Sequence, residues 1–170
     1  MTEVLRIDNL FARRSVRKFT GEPLTEEQMD LLLKAAMAAP SAANLKPWHF
    51  VAITRRALLD KLADAHPYGR MLTQAPFAIC VCGDPSINER YWVQDAAAAT
   101  ENILLAAVGL GLGSVWLGVY PRPERIDPIR ALLNIPENIM PLNLLPIGHP
   151  AEFPPPRTQY DESKVHRDTW

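Results

Sequence analysis

From Ile103 to Tyr120 the chain carries no charged residue, and just upstream Ala96 to Ala99 would put alanine on every face of a helix. A helix that is apolar all round must be buried, either in a membrane or between other protein elements. The run is eighteen residues, the minimum for a spanning segment, but Gly109, Gly111, Gly113 and Gly118 interrupt it. Ser114 to Val119, moreover, has the chemistry of a strand. The reading is therefore a buried helix from about Glu89 to Leu110 in a protein that stays in water. A chain of 170 residues cannot easily surround a helix on all sides. Burial against a second copy, in a homodimer, is the expectation.

The remaining elements follow from pattern. Val4, Ile7, Leu10 and Phe11 recur at helical spacing, predicting a helix from Glu3 to Arg13. Thr25-Glu26-Glu27-Gln28 reads as a capping box opening a second helix that stops near Pro40, with Leu24 and Met29 placed to staple its entry. Strands are predicted at Trp48–Thr54, Ala78–Cys82, Ser114–Val119 and Leu142–Ile147, and further helices at Arg55–Ala65 and Glu124–Leu133. From Gly148 to Trp170, Pro150, Pro154, Pro155 and Pro156 favour an extended arm. No repeat or polar linker divides the chain, so residues 1–170 are read as one domain, α/β or α+β.

Eighteen basic residues face nineteen acidic ones, a formal charge of −1, which argues against a general nucleic-acid or anionic-membrane binder. Two cysteines cannot make a disulfide framework, and no charged stretch followed by an apolar one opens the chain, so the expected setting is the reducing cytoplasm. Cys80 and Cys82 are read as buried structural thiols pointing to opposite faces of their strand. The four histidines show no ligand spacing, and there is no nucleophile elbow or phosphate-binding loop. Gly109-Leu110-Gly111-Leu112-Gly113 lies after a helix and before a strand, the reverse of a dinucleotide fingerprint, and reads as a helix cap and tight turn. Hard chemistry on such a chain belongs to a bound cofactor.

Two stretches carry candidate binding chemistry. Arg13-Arg14-Ser15-Val16-Arg17-Lys18 gathers four cations and a hydroxyl, the donors that a phosphate takes in charge-assisted bonds. A solvated basic turn closing a helix would look the same. Pro40-Ser41-Ala42-Ala43-Asn44-Leu45-Lys46-Pro47-Trp48 is a stiff polar loop whose Ser41 and Asn44 face either a ligand or their own backbone.

Taken in order, Arg13-Arg14-Ser15-Val16-Arg17, Pro40-Ser41-Ala42-Ala43-Asn44, Pro47-Trp48-His49-Phe50, the helix from Asp95 to Asn102, Gly111-Leu112-Gly113-Ser114-Val115-Trp116, Pro146-Ile147-Gly148-His149-Pro150 and the closing Val165-His166-Arg167-Asp168-Thr169-Trp170 resemble the FMN-dependent nitroreductase family. The resemblance implies an α+β fold, a central, mainly antiparallel sheet flanked by helices, in an intertwined homodimer with FMN at the interface. It assigns Arg13 and Ser15 to the FMN phosphate, with Arg14 nearby, and Arg17 to the flavin N1–C2=O edge. A fixed cation there stabilises the negative charge that reduction places on that edge. Arg70 matches a second cation beside the edge. Pro40, Ser41, Ala42 and Asn44 match a loop that reaches the partner's flavin, and Leu117 and Gly118 a strand end whose backbone amide meets the ring near N5. Arg157 matches a cation returning to the phosphate; two positions on, where the family often has another, stands Gln159.

The implied activity is transfer of hydride from NADH or NADPH through flavin N5 to a nitroaromatic, a quinone or a similar small acceptor, in ping-pong order. No side chain is assigned as a general acid. A nicotinamide-independent flavin oxidase or dehydrogenase, or a non-catalytic FMN carrier, would keep the same contacts.

Overall fold

The computed structural model describes residues 7–170. Four pieces of chain pair in the order β1-β2-β5-β3, all antiparallel, with β4 also on β5. These are β1 (Trp48–Ile53), β2 (Phe77–Gly83), β3 (Gly113–Ser114), β4 (Leu117–Gly118) and β5 (Met140–Gly148). Helices α1 (Ile7–Ala12), α2 (Glu26–Met37), α3 (Arg56–Ala65), α4 (Trp92–Gly109) and α5 (Pro123–Leu133) complete the frame. The α+β architecture with a mainly antiparallel sheet is the one expected. Of the first predicted helix, residues 3–6 lie outside the described residues.

The alternation of β2 divides the core. Phe77, Ile79 and Val81 pack with α2 and α4 on one face, while Ala78, Cys80 and Cys82 pack with α3 and α5 on the other. The cysteines therefore share a face, with Sγ atoms 3.7 Å apart, which corrects the expectation of opposite faces. Strand side chains alternate with a period of two, so positions i and i+2 coincide. The hydrogen bond with the Cys82 thiol, and then burial, push the Cys80 thiol well up from its ordinary value, an inert structural thiol.

The capping box forms as read: Thr25 Oγ1 accepts from the Gln28 amide, and the Gln28 side chain accepts from the Thr25 amide. At the end of α4, Leu112 N–H bonds Ala107 O and Gly111 N–H bonds Val108 O, with Gly111 at φ +70°. This is a Schellman turn, and only glycine takes that left-handed position without strain. Among the described residues no helix is long and apolar enough to cross a membrane. The charge-free run is instead a helix that turns back into the sheet.

The strand predicted over Ser114–Val119 is broken into β3 and β4, and the cause is a proline. Ser114 pairs with Ile147 and Leu117 with Leu144, so Val115 stands opposite Pro146. Val119 N–H bonds Leu142 O, so the even-numbered residues of β5 direct their backbone groups to this edge. Pro146 has no N–H to give there, and the ladder parts around Val115 and Trp116. On α4 the same chain buries Asp95, Ala96, Ala99, Ile103, Leu104 and Ala107, leaving Ala97, Ala98, Leu105, Ala106 and Val108 half-buried.

Candidate functional site

The basic stretch does not hang free. After α1, whose last turn closes through Arg13 N–H to Asn9 O, residues 11–20 run beside the returning arm. Thr20 N–H bonds His149 O, Ala151 N–H bonds Lys18 O, and Arg157 N–H bonds Phe11 O at 3.1 Å. Between these, the Glu152 carboxylate accepts from Arg17 N–H at 2.6 Å, and the Arg14 guanidinium donates to Pro155 O. Two segments about 140 residues apart thus become an antiparallel strip, which brings Arg157 to Arg13. Both line a cavity of about 470 Å³ with Leu10, Phe11, Thr158, Gln159 and Tyr160.

The inner edge of the strip is fastened to the sheet. Ser15 bridges Ser114, and Val16 N–H bonds Ser114 O at 3.0 Å. A Cβ on Gly113 would meet Val16 Cγ1 at 2.7 Å, so the strip approaches β3 as closely as a glycine allows. Arg13 Nε lies 3.7 Å from the Glu101 carboxylate on α4. Burial lifts the Glu101 carboxyl above its ordinary value, and the Arg13 charge offsets part of that. Among the described residues the side chains of Arg17, Arg70 and Arg157 make no hydrogen bond or ion pair with the protein.

Further along β5, Gly118 pairs with Asn143, four residues from the Ser114–Ile147 pair, a span of about 13 Å. The bonds of Leu117 and Val119 face β5, so the backbone groups of Gly118 face away from it. The Leu117 side chain is buried. The Gly118 carbonyl receives two donors, Arg125 Nη1 at 2.8 Å and His66 Nε2 at 3.0 Å. Burial, opposed by that carbonyl and aided by the Arg125 charge, holds His66 below its ordinary pKa. Arg70 opens the short helical turn that begins four residues after His66 and is exposed.

The Pro40–Asn44 loop is elsewhere. Its recorded bonds run to itself and to α4: Ala42 N–H to Asp95 Oδ1 at 2.9 Å, Lys46 N–H to Ser41 Oγ at 3.0 Å, and Asn44 N–H to Ser41 O. Ser41 Oγ thus accepts a bond from its own loop. Ala43, Asn44 and Lys46 stand at φ between 51° and 58°, left-handed values that L-residues take only when their surroundings hold them there. Asp95 fastens the loop to α4 through Ala42, yet its second oxygen, Oδ2, is buried with no partner among the described residues. Asp95, His66, Arg125 and Glu152 were assigned no role from the sequence. Asp95 alone left a signal, as a carboxylate in the first turn of a helix otherwise rich in alanine.

The donor set fits a flavin mononucleotide. Guanidinium forks and a hydroxyl gather at one end, as a phosphate requires, and an outward amide with open space at its α-carbon stands at the other. The model of the nitroreductase family matches residues 10–67 and 65–149. A Methanothermobacter thermautotrophicus protein, provisionally named NADH dehydrogenase/NAD(P)H nitroreductase, is 45% identical over 96% of this chain and 87% of its own. A solved Bacteroides thetaiotaomicron structure with the same provisional name is 46% identical, with a TM-score of 0.93 over 96% of this chain and 97% of that one. The FMN-dependent nitroreductase of Clostridium difficile R20291 is 32% identical, with a TM-score of 0.91 over 97% and 100% of the two chains.

Proposed function

The chain belongs to the nitroreductase family, and on that premise we propose that it is an FMN-dependent oxidoreductase driven by NADH or NADPH. When bound, FMN supplies two-electron hydride chemistry at N5, accepting from the nicotinamide and then donating to a nitroaromatic, a quinone or a similar acceptor in ping-pong order. Arg13, Ser15 and Arg157 would hold its phosphate, with Arg14 fixing the arm. Arg17, with Arg70 beside the same edge, would place positive charge at N1–C2=O, and the strand end at Leu117 and Gly118 would offer a backbone amide near N5.

The observation that carries this reading is the strip itself. It gathers Arg13, Arg14, Ser15, Arg17 and Arg157 from both ends of the chain at one end of a sheet edge whose other end is the free Gly118 amide. The half-buried stripe on α4 and an arm with Phe153, Tyr160 and Trp170 exposed support a homodimer, in which the Pro40–Asn44 loop reaches the partner's flavin. Two free, buried cysteines suit the cytoplasm.

The test is a visible spectrum of the purified protein, then anaerobic addition of NADH and of NADPH. A flavin band that bleaches within seconds is the expected result and identifies the donor. A flavin that resists both would turn the reading to an oxidase or a carrier. A colourless protein that takes up no added FMN would overturn it.

A further inference from the structure

His66 is 2% exposed and lies outside the set of groups proposed to touch the flavin. It ends α3, its own amide bonding Leu62 O. Both ring nitrogens are engaged. Nδ1 lies 3.2 Å from the Tyr68 amide, which can only donate, and Nε2 lies 3.0 Å from the Gly118 carbonyl, which can only accept. The Gly118 contact requires a proton on Nε2 and the Tyr68 contact requires Nδ1 to carry none, so together they fix the neutral imidazole protonated at Nε2.

The two contacts join separate pieces of chain. Through Tyr68 the ring shapes the turn 66–69, which is closed by Gly69 N–H to His66 O at 2.8 Å. A Cβ on Gly69 would meet Ala63 O at 2.9 Å, so the turn lies hard against the end of α3. The next residue is Arg70. Through Gly118 the ring grips the strand end whose amide faces outward. Arg125 Nη1 shares that carbonyl, and its guanidinium sits 5.5 Å from the Tyr68 ring centre, so α5 closes the bracket from the other side. Two donors on the Gly118 carbonyl fix the Gly118–Val119 peptide plane, and the Gly118 amide, in the preceding plane and hinged to it only through the Gly118 α-carbon, is limited in its swing by that hold.

We propose that His66 is a positioning residue for the flavin ring: its imidazole ties the turn that delivers Arg70 to the strand end that delivers the Gly118 amide, setting two ring-side contacts with one side chain. The proposal rests on the flavin reading given above. It assigns the imidazole no contact with flavin, nicotinamide or acceptor.

The two bonds can be separated by substitution. The amide of His66→Gln reaches about as far as Nε2 and keeps a donor for Gly118, whereas His66→Asn reaches only as far as Nδ1 and keeps the Tyr68 contact. Full-length apoprotein of each is titrated with FMN and with riboflavin, alongside thermal unfolding. A ring-side device predicts that His66→Asn weakens both ligands by the same factor, about tenfold for a lost buried hydrogen bond, while His66→Gln stays within about threefold of the wild type. Equal losses in the two variants that merely track their melting temperatures would make His66 structural and overturn the proposal. So would two variants that bind like the wild type.

Should His66→Asn not fold, the ¹⁵N resonances of the wild-type imidazole decide. A neutral ring with its proton on Nε2 and a shift that responds to FMN is required; a proton on Nδ1, or indifference to FMN, overturns it. If the wild type binds neither ligand, the flavin reading fails and this proposal falls with it. Wild-type binding with unaffected variants removes this proposal alone.

Discussion

At the end of the site proposed for the phosphate, the cations are Arg13 and Arg14 of one stretch, joined by Arg157 from an arm laid antiparallel beside it. At the ring end, one backbone amide is aimed by two side chains from the ends of different helices, 52 and 7 residues away from it in sequence. The first end is charge in a strip half open to water; the second is a carbonyl held in the interior. Charge brought together by sequence neighbours tolerates an imprecise backbone, because long arginines can search for their anion. An amide cannot search. It must be placed, and placement needs buried groups with all their bonds committed.

That contrast sets the largest expected effect. Arg13→Ala removes one guanidinium from a strip that Arg17 N–H, Ala151 N–H and Arg157 N–H still fasten. The protein should fold and yet bind FMN more weakly by about 10- to 150-fold, the range for a charge-assisted hydrogen bond. Riboflavin, which has no phosphate, should be nearly unaffected. An equal loss for both ligands would show that Arg13 is not at a phosphate end at all.

Next in size is the hold on the Pro40–Asn44 loop. Asp95→Ala leaves Ala42 N–H without its partner and unfastens from α4 a loop with three residues in left-handed conformations. A loss of about 1–3 kcal/mol in unfolding free energy is expected from the orphaned donor, offset in part by removal of a buried oxygen that has no partner. Denaturant unfolding measures it. An unchanged midpoint would mean that the loop keeps its shape by its own bonds.

The pattern of what the sequence disclosed follows the same contrast. The capping box, the reversed glycine turn and the basic stretch are all local, and each is found where expected. The break between β3 and β4 needed the register with β5, because the fault lies in Pro146, thirty-one positions from the Val115 it fails to bond. The sharing of one face by Cys80 and Cys82 was legible from the period of a strand and was misread. His66 and Arg125 were not legible, since a buried histidine and one more helix arginine look the same whether or not they meet at a carbonyl. The family resemblance reached the residues that would touch the flavin and passed over those that would aim them.

Acid should then separate the two ends. The folded protein holds His66 neutral, below the ordinary pKa of about 6.5. Above that value both folded and unfolded chains carry a neutral ring and the bracket contributes fully. As pH falls below it the unfolded chain takes up a proton first, so stability drops until the folded ring titrates as well. The arginines proposed for the phosphate have no such window, because they stay charged throughout. Thermal unfolding between pH 8 and pH 5.5 should therefore show a decline that His66→Gln flattens. A decline of equal size in that variant would assign the acid sensitivity to other groups.

The smallest effect tests whether the phosphate end competes with its own protein. Glu101 sits 3.7 Å from Arg13 and is half exposed, so the pair contributes little to stability. Its carboxyl is nonetheless raised by burial, which means the folded state binds its proton more readily than the unfolded chain does. Glu101→Gln removes that cost and leaves the Arg13 guanidinium with one rival fewer. FMN should bind about two- to threefold more tightly, an exposed ion pair's worth, and riboflavin should not change. Weaker FMN binding would reverse the argument: Glu101 would then be the residue that points Arg13 at the phosphate, and the strip would need aiming just as the amide does.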